Sequence, residues 1–153
     1  MTEIKTKKIF TLSLDVATPL SLLGDTPNGN RRIARVRGGE FSGPELNGKV
    51  HDGGGDWLLM RADGVLTLDV RITLETNDGG LVFMTYWGLR HGPDSVMDRL
   101  NSGQEVDPSE YYFRITPRFE TSDERYSWLN ELVAVGSGHR LPSGPVYEIF
   151  KVL

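Results

Sequence analysis

The stretch DWLLMRADGVLTLDVRITLETNDGGLVFMTYWGLRH, residues 56–91, decides the fold. It predicts three consecutive antiparallel strands, at about 56–61, 65–76 and 80–90. Two turn sequences separate the strands, Asp-Gly at 63–64 and Asn-Asp-Gly-Gly at 77–80. Asp-Gly pairs supply the positive φ that a tight hairpin requires, so we expect this stretch to form a meander.

The middle and third strands of the meander differ in how their apolar side chains alternate. In the middle strand one face is apolar and the other polar, with Leu66, Leu68, Val70, Ile72 and Leu74 on the apolar face. The third strand is apolar on both faces, with Leu81, Phe83 and Trp87 on one and Val82, Met84 and Tyr86 on the other. Because such strands are normally buried on both sides, we expect a core on one side. A second sheet, a helix or a second subunit is expected on the other.

Length and composition limit the classes of protein that remain. The chain has 153 residues, which fits one domain spanning residues 1–153. It has no cysteine, which excludes disulfides, thiol nucleophiles and cysteine-ligated zinc. The net charge of −4, from 17 basic and 21 acidic residues, argues against a nucleic-acid partner. No apolar run reaches the roughly 20 residues of a membrane span, so we expect no membrane partner and a cytoplasmic protein.

The rest of the chain is also rich in predicted strands. We expect further strands at 7–16, 31–37, 38–43, 48–50, 111–119, 127–135 and 145–152. Residues 18–30 are predicted to form a loop and 136–144 a turn, with one helix at 93–101 and a helical turn at 121–126. Nine or ten strands with short connections predict an all-β protein, either a small closed antiparallel barrel or a sandwich. Closure would remove the unpaired edges of such a sheet.

Three strand arginines, Arg71, Arg90 and Arg114, are the first candidates for ligand binding. An arginine at a barrel mouth can hold a carboxylate or an enolate through two parallel hydrogen bonds. Alternatively, these arginines lie on solvent faces or pair with neighbouring acids. Tyr112 shares a strand face with Arg114, and a nearby cation would favour proton donation by the phenol. Alternatively, Tyr112 belongs to an ordinary aromatic packing layer.

Other candidates follow glycines or lie near the carboxyl end. Asp56 and Trp57 come after three glycines, where a ligand could approach closely and the acid could act as a general base. Asp56 could equally cap its own turn. Glu120 is a second candidate acid. Trp128 and Asn130 share a predicted strand face and could form an aromatic wall and an orienting amide, or only core and turn contacts.

Metal and phosphate sites lack support in the sequence. The three histidines, His51, His91 and His139, are far apart and show no metal-ligand spacing. The glycine-rich segments match no phosphate loop, and no nucleophile elbow appears. We therefore expect no cofactor and no metal.

Several segments together resemble one protein family over nearly the whole chain. The motif sequences are RVRGGEFSGP at 35–44, GGDW at 54–57, RADG at 61–64, LDVR at 68–71, GLRHG at 88–92, YYFRITPRFET at 111–121 and YSWLN at 126–130. They are similar to those of domain of unknown function 3237, also called UPF0311. The resemblance implies a small closed barrel like those of allene oxide cyclase and dirigent proteins. Those barrels bind hydrophobic small molecules inside, an analogy at the level of fold only.

Three hypotheses about function follow. In the first, the protein is a cofactor-independent enzyme, an isomerase, cyclase, lyase or lactone hydrolase, acting on a small carbonyl-containing or aromatic acid in the barrel. Asp56, Tyr112 or Glu120 would move a proton, and the other candidates would bind the substrate: Trp57, Arg71, Arg90, Arg114, Trp128 and Asn130. In the second, the barrel binds a small molecule without catalysis. In the third, it is a structural or interaction protein. In each case the two-faced third strand predicts a homodimer.

Overall fold

The computed structural model describes residues 2–153 and contains ten strands, as expected. The strands are β1 (Thr6–Val16), β2 (Ser21–Thr26), β3 (Gly29–Ser42), β4 (Gly48–Val50), β5 (Gly54–Met60), β6 (Leu66–Thr76), β7 (Leu81–His91), β8 (Tyr112–Glu120), β9 (Ala134–Leu141) and β10 (Gly144–Val152). One α-helix, α1 (Asp94–Asn101), follows β7. Two 3₁₀ segments, Pro108–Glu110 and Glu124–Glu131, flank β8. No helix within residues 2–153 has the length and apolar character needed to cross a membrane.

The strands form a closed antiparallel barrel rather than a sandwich. Neighbours around the sheet run β1, β10, β9, β8, β7, β6, β4 and β3, and β3 pairs again with β1. β5 takes the same place as β4 at the other end of the barrel, since it also pairs with both β3 and β6. β2 pairs with the start of β3 and lies outside the ring. The closure confirms the barrel that the sequence predicted.

Alternation in the central meander places the core. The apolar face of β6, predicted from the sequence, is buried, from Leu66 at 5% exposure to Leu74 at 0%. On β7 the face with Val82, Met84 and Tyr86 joins the same core. The opposite face does not become buried within residues 2–153. Leu81, Phe83 and Trp87 there remain 52%, 41% and 50% exposed.

One end of the barrel is filled by aromatic rings. Phe10 packs edge-on against Phe41 and Phe119, with ring centroids 5.8 and 5.9 Å apart. Edge-to-face pairs at this spacing suit the opposite charges of ring edges and faces. Phe10 itself has no exposed surface. This end of the barrel is therefore closed by packing, and any internal space lies toward the other end.

Four of the segments predicted from the sequence were wrong in type or in continuity. The strand predicted at 127–135 is mostly the 3₁₀ segment Glu124–Glu131, and the turn predicted at 136–144 is largely β9. The 3₁₀ segment is held by side chains, because Asp123 accepts from the Arg125 N–H and the Asn130 amide donates to the Thr121 carbonyl. These local bonds stabilise a turn in place of sheet pairing.

The other two corrections concern β2 and β3. The loop predicted at 18–30 contains β2, and the two strands predicted at 31–37 and 38–43 are one continuous strand, β3. Its glycines lie within the strand and do not end it. At Gly39, with φ +148°, a Cβ would lie 2.1 Å from the Ser13 carbonyl oxygen of β1. The glycine therefore allows β1 and β3 to approach where the barrel closes.

Candidate active site

A cavity lies inside the barrel at the end opposite the packed phenylalanines. Its volume is about 110 Å³, several times the roughly 10–15 Å³ that one water needs by the same measure. Its polar lining residues are Arg32, Asp56, Tyr86, Arg90, Arg140 and Tyr147. The remaining wall is mostly aliphatic and includes Leu14, Val36, Leu58, Val70 and Phe113. A few convergent polar groups in an apolar cavity are typical of a small-molecule site.

Strand register places Asp56 beside the cavity. Asp56 on β5 is opposite Val70 on β6, which in turn is opposite Tyr86 on β7. Side chains directly opposite each other lie on the same face of a sheet, here the inner one. Gly54 lets β5 approach β6 closely, since a Cβ there would lie 2.7 Å from the Arg71 carbonyl oxygen. The glycines that precede Asp56 therefore help to position it.

The Asp56 carboxyl is an unusual acid because it is buried. The residue is 9% exposed, and its Oδ1 accepts a hydrogen bond of 3.1 Å from the Asp69 backbone N–H. Burial raises the pKa of Asp56 to about 7, and the Asp69 charge adds to the rise. The Asp69 N–H and the Arg90 charge oppose that rise. Asp56 can therefore both accept and release a proton near neutral pH.

Arginines make the cavity electrically positive. The Arg90 guanidinium lies 5.8 Å from the centre of the Phe113 ring, and its buried Nε has no hydrogen-bond partner among the described residues. Burial and the nearby Arg140 lower the pKa of Arg90. Arg140 donates from Nη1 to the Leu141 carbonyl, and Arg32 donates from Nε to the side-chain oxygen of Asn30. Three guanidinium groups around one carboxyl favour an anionic ligand.

Two tyrosines supply hydroxyl groups at the same cavity. The Tyr86 hydroxyl donates to the Tyr147 hydroxyl across 3.1 Å, and the two rings meet edge-on at 5.1 Å. Burial is the main reason why the pKa values of both tyrosines are raised above the ordinary phenol value. Both hydroxyls therefore keep their protons at neutral pH. Because Tyr86 donates its proton to Tyr147, the Tyr147 hydroxyl proton is free to be donated to a ligand oxygen.

Of the nine residues proposed from sequence, the structure brings two to the cavity, Asp56 and Arg90. Five lie on the outer side of the barrel, and four of these form two arginine–aromatic pairs: Trp57, Arg71, Tyr112, Arg114 and Glu120. Arg71 lies over the Trp57 ring at 5.6 Å, and Arg114 over the Tyr112 ring at 5.5 Å. Glu120 is exposed at the end of β8.

The last two proposed residues are in the 3₁₀ segment rather than on a strand. Trp128 packs against the barrel core as a partly buried residue. Asn130 is exposed, accepts from the Thr121 N–H and donates to the Thr121 carbonyl, each across 2.9 Å. The oxygen and the nitrogen of the Asn130 side-chain amide are thus both used to hold the chain after β8. Neither residue lines the cavity.

Sequence reasoning missed four polar residues of the cavity, Arg32, Tyr86, Arg140 and Tyr147. A signal for one of them was present. Tyr86 and Arg90 are four residues apart on β7, so period-2 alternation places both on one face. Tyr147 and Arg140 come from β10 and β9, and no local pattern links them to β7. Their meeting depends on closure of the barrel.

Fold and cavity together define a closed antiparallel β-barrel protein with a polar internal cavity. The chain belongs to the family described as "Protein of unknown function (DUF3237)", whose model matches residues 4–152. A UPF0311 protein of Rhodopseudomonas palustris is 35% identical over 150 residues, which are 98% of this chain and 97% of the relative. The family that the motifs predicted is thereby confirmed.

Solved structures support the same fold. The crystal structure of the conserved R. palustris protein of unknown function has a TM-score of 0.93 at 33% identity and covers 100% of this chain and 99% of its own. A beta-barrel like protein of Acinetobacter baumannii is 39% identical with a TM-score of 0.87, covering 100% and 98%. A protein of Penicillium herquei described as an enzyme has a TM-score of 0.76 at 22% identity, covering 100% and 97%. At that identity the likeness shows the fold alone.

Proposed function

We propose that the protein is a cofactor-independent enzyme that moves a proton on a small carbonyl-containing or aromatic acid bound in the barrel. The observation that carries this proposal is the buried Asp56 carboxyl at the cavity, with a pKa of about 7. General acids and bases work best when their pKa lies near the working pH. An aspartate used only for solubility would be exposed and ionised.

The other polar groups suit the same reaction. Arg90 and Arg140 would bind the anionic group of the substrate, and the aliphatic wall would hold its body. A hydroxyl of the Tyr86–Tyr147 pair would donate to the substrate carbonyl oxygen and stabilise the negative charge that develops there. Asp56 would take a proton from the substrate and return it at another atom. Isomerisation and cyclisation fit this sequence of steps, and in an elimination the proton would be returned to the leaving group. In lactone hydrolysis Asp56 would instead take the proton from the attacking water and give it to the ring oxygen that leaves.

A second candidate function is non-catalytic binding of a small anion. The observation in its favour is the orphaned Nε of Arg90, which a ligand oxygen would satisfy whether or not a proton moves. Turnover separates the two candidates, because both predict binding. The experiments below therefore test binding through Arg90 and turnover through Asp56.

Binding should depend on Arg90 and not on Arg71. In a thermal-shift screen of small aromatic acids, keto acids, lactones and terpenoid acids, we expect at least one acid to raise the Tm by mass action. Arg90→Gln should remove that rise, because it removes the charge at the cavity. Arg71→Gln is the matched control, because Arg71 lies on the outer side over Trp57. Equal loss in both variants, or no rise with any compound, would count against the proposed site.

Turnover of a compound found in this way should depend on the protonation state of Asp56. We expect kcat/KM to rise with pH through about 7 when Asp56 acts as the base, and to fall through about 7 when it acts as the acid. Asp56→Asn should lower kcat by a factor on the order of 10² while the ligand still raises the Tm. Binding without turnover in the unchanged protein would favour the second candidate.

A further inference from the structure

The outer face of the β6–β7–β8 sheet carries more exposed apolar surface than a solvated sheet face needs. Leu81, Phe83 and Trp87 project outward along β7, each at least 41% exposed. Tyr112 on β8 and Val135 on β9 extend the patch, at 46% and 37% exposure. Contiguous apolar surface with a charged rim is typical of a protein–protein interface.

The charged residues at the rim of this patch form no salt bridge among residues 2–153. Arg71 and Asp69 on β6, and Arg114 and Glu120 on β8, form no salt bridge with any residue in 2–153. In contrast, lysines and arginines elsewhere on the surface form eight ion pairs with acids, such as Arg35 with Asp52. The two arginines are held instead over the rings of Trp57 and Tyr112. Their guanidinium groups are thus held in place on this face, and the acids Asp69 and Glu120 on the same face form no salt bridge with them.

We propose that this outer face binds a second copy of the chain about a twofold axis that lies in the interface and crosses β7 at Tyr86. The register of the strands on either side of β7 supports this axis. Asp69 is opposite Trp87 and Arg71 is opposite Thr85, one residue to each side of Tyr86. Glu120 is opposite Phe83 and Arg114 is opposite Leu89, three residues to each side.

Rotation about a twofold axis perpendicular to the strands reverses the direction of β7 in the second copy. It places β6 of one copy over β6 of the other, and β8 over β8. It therefore brings Asp69 of one copy over Arg71 of the other, and Glu120 over Arg114. Both pairings arise from the same axis, and the symmetry makes each of them occur twice. The remaining positions match without like charges, because Arg118, opposite Thr85, meets Thr116, opposite Trp87. Apolar Phe83 meets Leu89.

Charge disfavours the other way to stack two sheets with aligned strands. In aligned packing the strands of the two sheets stay within about 30° of each other, which leaves a twofold axis across the strands or one along them. An axis along β7 would place β6 of one copy over β8 of the other, and each residue would keep its height along the strand. Arg71 and Arg118, both opposite Thr85, would then meet twice, and no acid would meet an arginine. Charge complementarity thus favours the crossing axis and a copy of this chain as the occupant.

Reversal of single charges and of the pair tests this interface. Light scattering and sedimentation should find a dimer of the unchanged protein. Arg114→Glu and Glu120→Arg should each raise the dimer dissociation constant by tenfold or more, because each places like charges opposite one another. The double variant, Arg114→Glu with Glu120→Arg, should return the constant to within about threefold of the original, since the pair is only exchanged.

Arg118→Glu is the matched control, because it reverses a charge on the same face where a threonine is opposite. It should change the constant much less than either single reversal does. All three substituted positions are exposed, and unchanged circular dichroism and Tm at low concentration would show that folding is kept. A monomeric unchanged protein, a dimer that survives both single reversals, or a double variant that stays monomeric would each overturn the proposal.

Discussion

Replacing Asp56 with asparagine is expected to stabilise the protein above pH 7 and to flatten the dependence of its unfolding free energy on pH. The folded protein holds the Asp56 proton up to a pKa of about 7, whereas the unfolded chain releases it near 3.8. Between these values the native state binds more protons than the unfolded state. The free energy of unfolding therefore falls as pH rises from about 4 to about 7, and the loss remains at higher pH.

The size of the effect follows from the two pKa values. Their difference corresponds to about 4 kcal/mol once Asp56 is fully ionised in both states. Asparagine has no charge to desolvate, and its side-chain oxygen can still accept from the Asp69 N–H. We therefore expect a gain approaching about 4 kcal/mol at about pH 8 and almost none at about pH 4. Urea unfolding across this range, with the variant compared at each pH, measures it.

Asp52→Asn is the matched control for Asp56→Asn. Asp52 is exposed, and its hydrogen bond to Arg35 lowers its pKa. Its contribution therefore has the opposite sign, present above the unfolded pKa and lost as pH falls below it. We expect a small and constant difference from the unchanged protein between about pH 5 and about pH 8. A pH slope that persists in Asp56→Asn would show that another group is responsible for it.

Of the substitutions predicted here, Leu12→Ala should cause the largest loss in the free energy of unfolding, because Leu12 lies where the barrel closes. The side chain has no exposed surface, and the residue is opposite Tyr147 on β10 and Phe41 on β3. Removing a buried leucine side chain loses its transfer free energy and leaves a cavity, which together cost about 2–5 kcal/mol. For a chain of this length we expect the Tm to fall by roughly 5–15 °C.

Leu22→Ala makes the same chemical change on the outside of the barrel. Leu22 on β2 is 74% exposed, so we expect its replacement to change the free energy of unfolding by less than about 0.5 kcal/mol. Both variants should show the same urea m-value as the unchanged protein. A cost at Leu22 equal to that at Leu12 would mean that β2 is covered by something other than this chain.

The sequence predicted the barrel wherever alternation was local and strong. In β6 five apolar residues at period 2 identify both the strand and its inner face. The pattern fails at 127–135, because Asn130 and Asp123 hold that segment by side-chain bonds to the backbone. Such bonds compete with sheet pairing and leave no mark on hydrophobic periodicity.

The site was harder to predict than the fold for a geometric reason. Asp56 could be found because glycines precede it, and Arg90 because it ends a strand. Arg71 and Arg114 are equally strand arginines, but their register places them outside, and a shift of one residue reverses the face. Tyr147 and Arg140 reach the cavity only because the barrel closes, which depends on pairing between distant strands. Charge and residue type alone do not determine that pairing.

The double pairing of β1 also bears on how the chain can be made in a cell. Leu12 pairs with Tyr147, so one neighbour of β1 is β10, the last of the ten described strands in chain order. Contacts between such distant segments form slowly, because a long loop must be closed first. Until β10 emerges, β1 and β9 have open edges that can pair with other nascent chains. For this protein, the period before β10 is complete is the one in which a chaperone would matter most.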